Sequence, residues 1–172
     1  MKWFFNELKT IYKIDILRFR SKLFLFLFNI VPEFYVLKIF KNLLLKLSGV
    51  NLSLLFVYIK NGLYFDNAKS LYLGKGIFIN RNVSFEGLGN VFIGDSVQIG
   101  PNVQFLTTNH KDRTKDEVAD IKIGNNVWIG AGYIILPGSE ISGNVNIAAG
   151  SIVKGKILDG NLWAGSPAVK KR

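Results

Sequence analysis

The chain has no cysteine and only one histidine among its 172 residues. Disulfides and thiolate zinc sites are thereby excluded, and redox chemistry says nothing about compartment. A histidine-built metal centre normally needs several imidazoles, so no metal is expected. Long apolar runs are missing as well. The run Leu23 to Val31 spans nine residues, far below the ~20 needed to cross a bilayer. Asp15, Arg18, Arg20 and Lys22 sit where an upstream extension would have to go. No small-x-small cleavage site follows, so a signal peptide is not expected either. A net charge of +10 comes without any recognition module for nucleic acid, which is therefore not an expected partner.

What is present divides unevenly. Residues 1–60 carry ten Lys or Arg against three Asp or Glu, while 61–172 carry twelve against nine, and nearly all the glycines lie in the second part. The shift places a boundary at Lys60 or Asn61. Residues 1–60 read as helices over about 3–20, 22–30 and 33–47, with Pro32 parting the last two. Lys38, Asn42 and Lys46, four apart, predict a narrow polar stripe on a broad apolar surface. Such a basic, apolar segment either packs on protein or lies on an anionic membrane surface, with Lys and Arg at headgroup level and aromatics below. The sequence leaves both open.

From residue 61 the pattern changes to a six-residue beat. Apolar anchors fall at 73, 79 and 85, at 93, 99 and 105, at 123, 129 and 135, and at 141, 147 and 153; Ile59 and Phe65 make a weaker first set. Four residues beyond most anchors stands another small or branched residue, such as Val83, Val97, Val103 or Val127. Three six-residue faces close a triangular coil of eighteen residues, in which anchors point inward and stack on the next coil. Period two, the mark of an ordinary alternating strand, does not explain anchors locked at six. The phase breaks twice. The step from Phe85 to Ile93 is eight, a two-residue bulge. Between Phe105 and Ile123 the pattern stops and resumes in register, so 106–120 is expected to bow out as a loop. That loop holds His110. Loops on repeat scaffolds tend to form the binding face.

These residues resemble the hexapeptide-repeat acyltransferases, in particular the galactoside/maltose and surface-polysaccharide O-acetyltransferases. The resemblance covers about 61–172. It rests on Ile93-Gly-Asp-Ser-Val-Gln-Ile-Gly-Pro-Asn-Val-Gln-Phe leading to Thr-Asn-His110, on Gly124-Asn-Asn-Val-Trp-Ile-Gly-Ala, on Ile147-Ala-Ala-Gly-Ser-Ile-Val and on Ala164-Gly-Ser-Pro-Ala168. It implies an all-β fold, a left-handed parallel β-helix of about four to five coils behind the α-helical N-terminal segment. It also implies a homotrimer with acetyl-CoA between subunits as acyl donor, and a carbohydrate acceptor. On this reading 61–157 is the β-helix with its catalytic loop 106–120, and 158–172 is a tail closing the CoA cleft.

Acyl transfer to a sugar hydroxyl needs a base near neutral pKa and donors for the developing oxyanion. His110 matches the family's catalytic histidine. Asn80 and Asn82 match its Asn-x-Asn, with corner-turning as their structural alternative; Glu86, Asn109 and Arg113 are further acceptor-binding candidates, and Asp112 or Arg113 are candidates to orient the imidazole. For CoA the resemblance implies Trp128, Gly130, Ala131, Ala148 and Ala149. Lys154 and Lys170, with Lys156 and Lys171 near them, supply cations for the phosphates, and Trp163 covers the cofactor or caps the helix end. The sequence departs from the family at Lys154-Gly-Lys156, where relatives commonly read Thr-Lys-Asp, and at Val169, where they carry a basic residue. Which residues hold the phosphates therefore stays open, while the positive charge remains. The expected function is O-acetylation of a sugar of a cell-surface polysaccharide or its lipid-linked precursor, in the cytoplasm, peripheral to the inner face of the membrane. N-acetylation of a nucleotide-linked amino sugar, transfer from an acyl carrier protein, and a non-catalytic trimeric membrane scaffold stay open as alternatives.

Overall fold

A computed structural model describes residue 16 and residues 18–112, 115–158 and 161–171. The expected helix over 3–20 lies largely outside these residues, as does Arg113. A helix, α1, runs unbroken over 18–30, with no break near residue 21. Ser21 has no helix-breaking geometry, so nothing there stops the ladder. The last expected helix starts later than residue 33. Phe34 is extended, Tyr35–Leu37 form a 3₁₀ turn, and α2 occupies Lys38–Ser48, closed by Gly49 at φ 114°. Glu33 is engaged elsewhere: its carboxylate accepts from the Asn61 N–H (2.8 Å) and pairs with Arg81 (2.7 Å). The Arg81 hydrogen bonds hold that carboxyl at a pKa of about 2.

The polar stripe on α2 is corrected by the structure. Asn42 is buried, and its amide donates to the carbonyls of Leu54 and Val57, at 2.8 Å each. Lys41 is buried beside it, its ammonium 4.3 Å from the Phe28 ring, and burial lowers its pKa. The outward face carries Ile39, Phe40, Leu43 and Leu47 instead. A helical residue's polarity did not decide its direction here, because carbonyls at the start of the solenoid needed donors.

Beyond α2 the chain winds a three-sided parallel solenoid of five coils. Strands Val57–Ile59, Ile77–Ile79, Gln98–Ile99, Trp128–Ile129, Asn146–Ile147 and Leu162–Ala164 stack as a first sheet, which Val169–Lys170 closes by antiparallel pairing. Tyr64–Phe65, Ser84–Glu86, Gln104–Leu106, Ile134–Ile135 and Ile152–Val153 form the second. Leu71–Leu73, Val91–Ile93, Ile121–Ile123, Glu140–Ile141 and Lys156–Ile157 form the third. Anchors meet anchors: Ile59, Ile79, Ile99, Ile129 and Ile147 form one column, and Phe65, Phe85, Phe105, Ile135 and Val153 another. These side chains are buried, and each contributes about 1.5–3 kcal/mol of apolar transfer. Asn82, Ser96, Asn102, Asn126 and Asn144 turn corners at φ 57–62°, the left-handed region that Asn tolerates.

The eight-residue step recurs between Phe65 and Leu73, while the last coil shortens, Ile141 pairing with Ile157. The ends of the stack are finished by side chains. Lys22 Nζ donates to Phe65 O (2.7 Å); Asn29 donates to Leu63 O (2.9 Å) and accepts from the Gly62 and Leu63 N–H groups. At the other end Trp163 falls below Ile147 and packs on the core.

Candidate active site

The interruption after Phe105 is an antiparallel hairpin, Thr108–Asp112 with Lys115–Val118. It leaves the corner between the second and third sheets. Its feet are clamped by the bulge of the preceding coil. Thr107 is buried; its hydroxyl donates to Glu86 O (3.0 Å) and accepts from the Gly89 N–H (3.0 Å). The Leu88 N–H donates to Thr108 Oγ1 (3.1 Å), and the Asn90 N–H to Asp120 Oδ1 (2.7 Å). Gly87, at φ 103°, is required there: a Cβ would lie 2.5 Å from Thr107 Oγ1. The two phase breaks thus belong to one device, a bulge that grips an arm.

His110 and Asp116 face each other across the hairpin, with Nδ1 2.6 Å from Asp116 Oδ1. Both are open to solvent, at 77% and 50% side-chain exposure. An exposed ion pair adds little stability, so its consequence is positional. When Nδ1 donates to the carboxylate, Nε2 becomes the basic nitrogen. Asp116 was not among the expected residues. The flanks of the loop, Thr-Asn-His-Lys-Asp and Lys-Asp-Glu-Val, would have revealed it had they been paired as strands around residues 113 and 114.

The structure sorts the remaining candidates onto separate corners. Glu86 pairs with Leu106 at the foot of the hairpin, and Asn109 precedes His110 on its strand, opposite Glu117. Asn80 and Asn82 stand at the corner between the first and second sheets, where Asn80 Oδ1 accepts from the Arg81 N–H (2.9 Å) and Asn82 Nδ2 donates to Asn102 Oδ1 (3.2 Å). Gly130, Ala131, Ala148 and Ala149 follow on that same corner in later coils. It is rigid: buried Tyr133 donates its hydroxyl to Ala148 O, Ser151 Oγ donates to the same carbonyl (2.7 Å), and burial pushes the Tyr133 phenol pKa well up. It is also narrow, since a Cβ on Gly130 would lie 2.9 Å from Ala149 N. Trp128 faces outward on the first sheet, 52% exposed, in register with Gln98 and Asn146. Lys154 is exposed two coils beyond the hairpin, Lys170 pairs with Trp163 at the far end, and Lys156 is bonded to Glu140 (2.9 Å).

No protein-family model matches the chain. Solved structures do. It superposes on a galactoside acetyltransferase in complex with coenzyme A at TM-score 0.79 and 31% identity, covering 92% of this chain and 80% of that one. The chain belongs to the hexapeptide-repeat acyltransferase family. Its solenoid is accordingly the left-handed parallel β-helix of that family, against the usual right-handed rule for parallel crossovers. A maltose O-acetyltransferase from Clostridium difficile 630 gives TM-score 0.78 at 31% identity, over 90% of this chain and 85% of that one. The galactoside O-acetyltransferase of Lactococcus lactis is 36% identical over 110 residues, 60% of this chain and 53% of the relative. The chain thus spans about half the length of the curated relatives it matches. Among its described residues, this hexapeptide-repeat protein has no helix long and apolar enough to cross a membrane.

Proposed function

We propose that the protein transfers the acetyl group of acetyl-CoA to a sugar hydroxyl, with His110 as general base. The observation that carries this reading is the hold of Asp116 on Nδ1 of the only histidine, midway along a clamped arm. Nε2 takes the hydroxyl proton as the sugar oxygen attacks the thioester carbonyl. Backbone N–H groups receive the oxyanion. The intermediate collapses with release of CoA sulfur, and His110 returns the proton to the thiolate.

The oxyanion donors belong to the Gly130–Ala131 corner, where small side chains let a thioester approach the backbone. Within one chain that corner is separated from His110 by the second sheet. A second copy must therefore bring its corner to the hairpin, and this is the physical case for the homotrimer that the resemblance implies. Lys154 and Lys170 then offer charge to the CoA phosphates, and Trp128 an aromatic wall.

The acceptor is placed at the cytoplasmic face of a membrane, as a surface polysaccharide or its lipid-linked precursor. Support comes from the exposed apolar stripes of the two helices, Phe19, Leu23, Phe26 and Ile30 on α1 and Ile39, Phe40, Leu43 and Leu47 on α2. Water-facing helix surfaces are normally polar. Arg18, Arg20, Lys38 and Lys46 accompany the stripes, the combination that suits an anionic bilayer surface. Flotation with phosphatidylglycerol vesicles should carry the protein to the top of a gradient, and Phe26→Ser with Phe40→Ser should release it. Retention of the double variant on vesicles would remove the membrane from the account.

Transfer itself is tested by calorimetric titration with CoA, followed by thiol release from acetyl-CoA in the presence of sugars. Binding near one site per chain is expected. Absence of binding to both ligands would overturn the enzyme reading.

A further inference from the structure

A cavity of about 660 Å³ opens between α1 and the corner that carries the hairpin. Its walls include Arg18, Arg20, Lys22 and Lys69, against one carboxylate, Asp66. That carboxylate is already engaged: it accepts from the Tyr64 hydroxyl (2.7 Å) and from the Gly87 N–H (2.8 Å). Lys22 is fixed too, its ammonium on Phe65 O and 4.3 Å from the Tyr64 ring. Arg18, Arg20 and Lys69 are exposed and leave the cavity with a clear excess of positive charge.

The cavity and the hairpin share one corner of the solenoid. Tyr64, Ser84 and Gln104 stack in register, so the corner at Asp66 lies two coils from the hairpin, roughly 10 Å at the usual strand spacing. Hydrogen bonds bridge that interval in sequence, from Tyr64 to Asp66, from Asp66 to Gly87, and from Leu88 to Thr108, two residues before His110. A ligand lying along this corner, from the hairpin to the cavity, would span that interval. The volume suits a sugar with a substituent.

We propose that the cavity binds the phosphate or pyrophosphate group of a glycosyl-phosphate acceptor, through the Arg18 and Arg20 guanidiniums and the Lys69 ammonium. Guanidinium groups match phosphate oxygens in pairs. The inference rests on the transferase reading for the sugar's role and names the class of acceptor: a sugar phosphorylated at the end away from the acetylated hydroxyl.

The test uses the full chain and a triple variant, Arg18→Gln, Arg20→Gln, Lys69→Gln, which spares Lys22 because it caps the solenoid. Inorganic pyrophosphate is titrated calorimetrically into both proteins, and thiol release is measured with a glycosyl phosphate and with the matching methyl glycoside. Pyrophosphate is expected to bind the natural protein and lose at least tenfold in affinity in the variant, whose CoA binding is unchanged. KM for the glycosyl phosphate should rise at least tenfold while that for the methyl glycoside stays put. Pyrophosphate binding that ignores the substitutions, or equal changes in KM for both acceptors, overturns the proposal. So does a variant that loses phosphatidylglycerol vesicles but keeps pyrophosphate, since the phosphate recognised is then a lipid headgroup. Pyrophosphate binding that depends on these residues, in a protein that transfers no acetyl group, would uphold the cavity and sink the transferase reading instead.

Discussion

His110→Ala is expected to lower kcat for acetyl transfer by about 10²- to 10⁴-fold, the usual worth of a positioned general base, with CoA affinity unchanged. The separation follows from geometry. The imidazole stands on the hairpin, whereas the small-residue corner at Gly130 and Ala148 is held by Tyr133 and Ser151. Removing the ring takes nothing from that corner. Asp116→Asn provides the companion measurement. An amide no longer fixes Nδ1–H as a carboxylate does, so kcat should fall by about ten- to a hundredfold while KM for acetyl-CoA stays level. Stability should scarcely change, because the pair is exposed. Turnover that survives His110→Ala would end the general-base role, and a loss of CoA binding in that variant would mean the hairpin supports the donor site.

Phe105→Ala is expected to cost about 3–5 kcal/mol, the usual range for a buried Phe truncated to Ala. Phe105 has no exposed surface, stacks on Phe85 with ring centroids 4.6 Å apart, and pairs with Ile135 in the next coil. A cavity there cannot be refilled from within a single rung, because each neighbouring column position already holds its own anchor. Phe92→Ala is the control. Phe92 is 36% exposed and stacks outward on Tyr72 at 4.8 Å, so its loss should cost well under half as much. Urea unfolding compares them: a lower midpoint for Phe105→Ala at similar slope is expected. Equal midpoints for the two variants would mean that the inward column does not carry the fold. Phe105 also precedes the hairpin, so its loss should slacken the clamp at Thr107 and lower transfer along with stability.

The solenoid could be read from the sequence because its physics is repetitive. A buried residue at a fixed interval leaves the same trace in every coil, and the columns headed by Ile59 and Phe65 are where the beat places them. Irregular features left weaker traces. The second eight-residue step, between Phe65 and Leu73, fell where the first coil is least regular, and the shortened last coil has no neighbour beyond it to set a phase. In the helices, periodicity alone pointed Asn42 outward; it turned inward to meet two carbonyls contributed by residues more than ten positions away. Such long-range demands for donors have no local signature. The candidate site divides the same way. His110 was visible because it interrupts a rhythm. Asp116 was hidden because its partnership depends on a hairpin register set by tertiary clamping at Thr107, Thr108 and Asp120.

A parallel solenoid has no intrinsic length: each rung is a template for the next, and an open rung is a template for another molecule. In this protein the first rung is closed by Lys22, Asn29 and Asn42, side chains of the two helices, and the last by a strand that turns back on it. The N-terminal segment therefore closes one of the two ends at which another copy could add. A chain starting at the first strand would present bare carbonyls on that end alone, so two copies could join there through the hydrogen bonding that builds the coils, and growth would stop at the pair. The helices are an end cap.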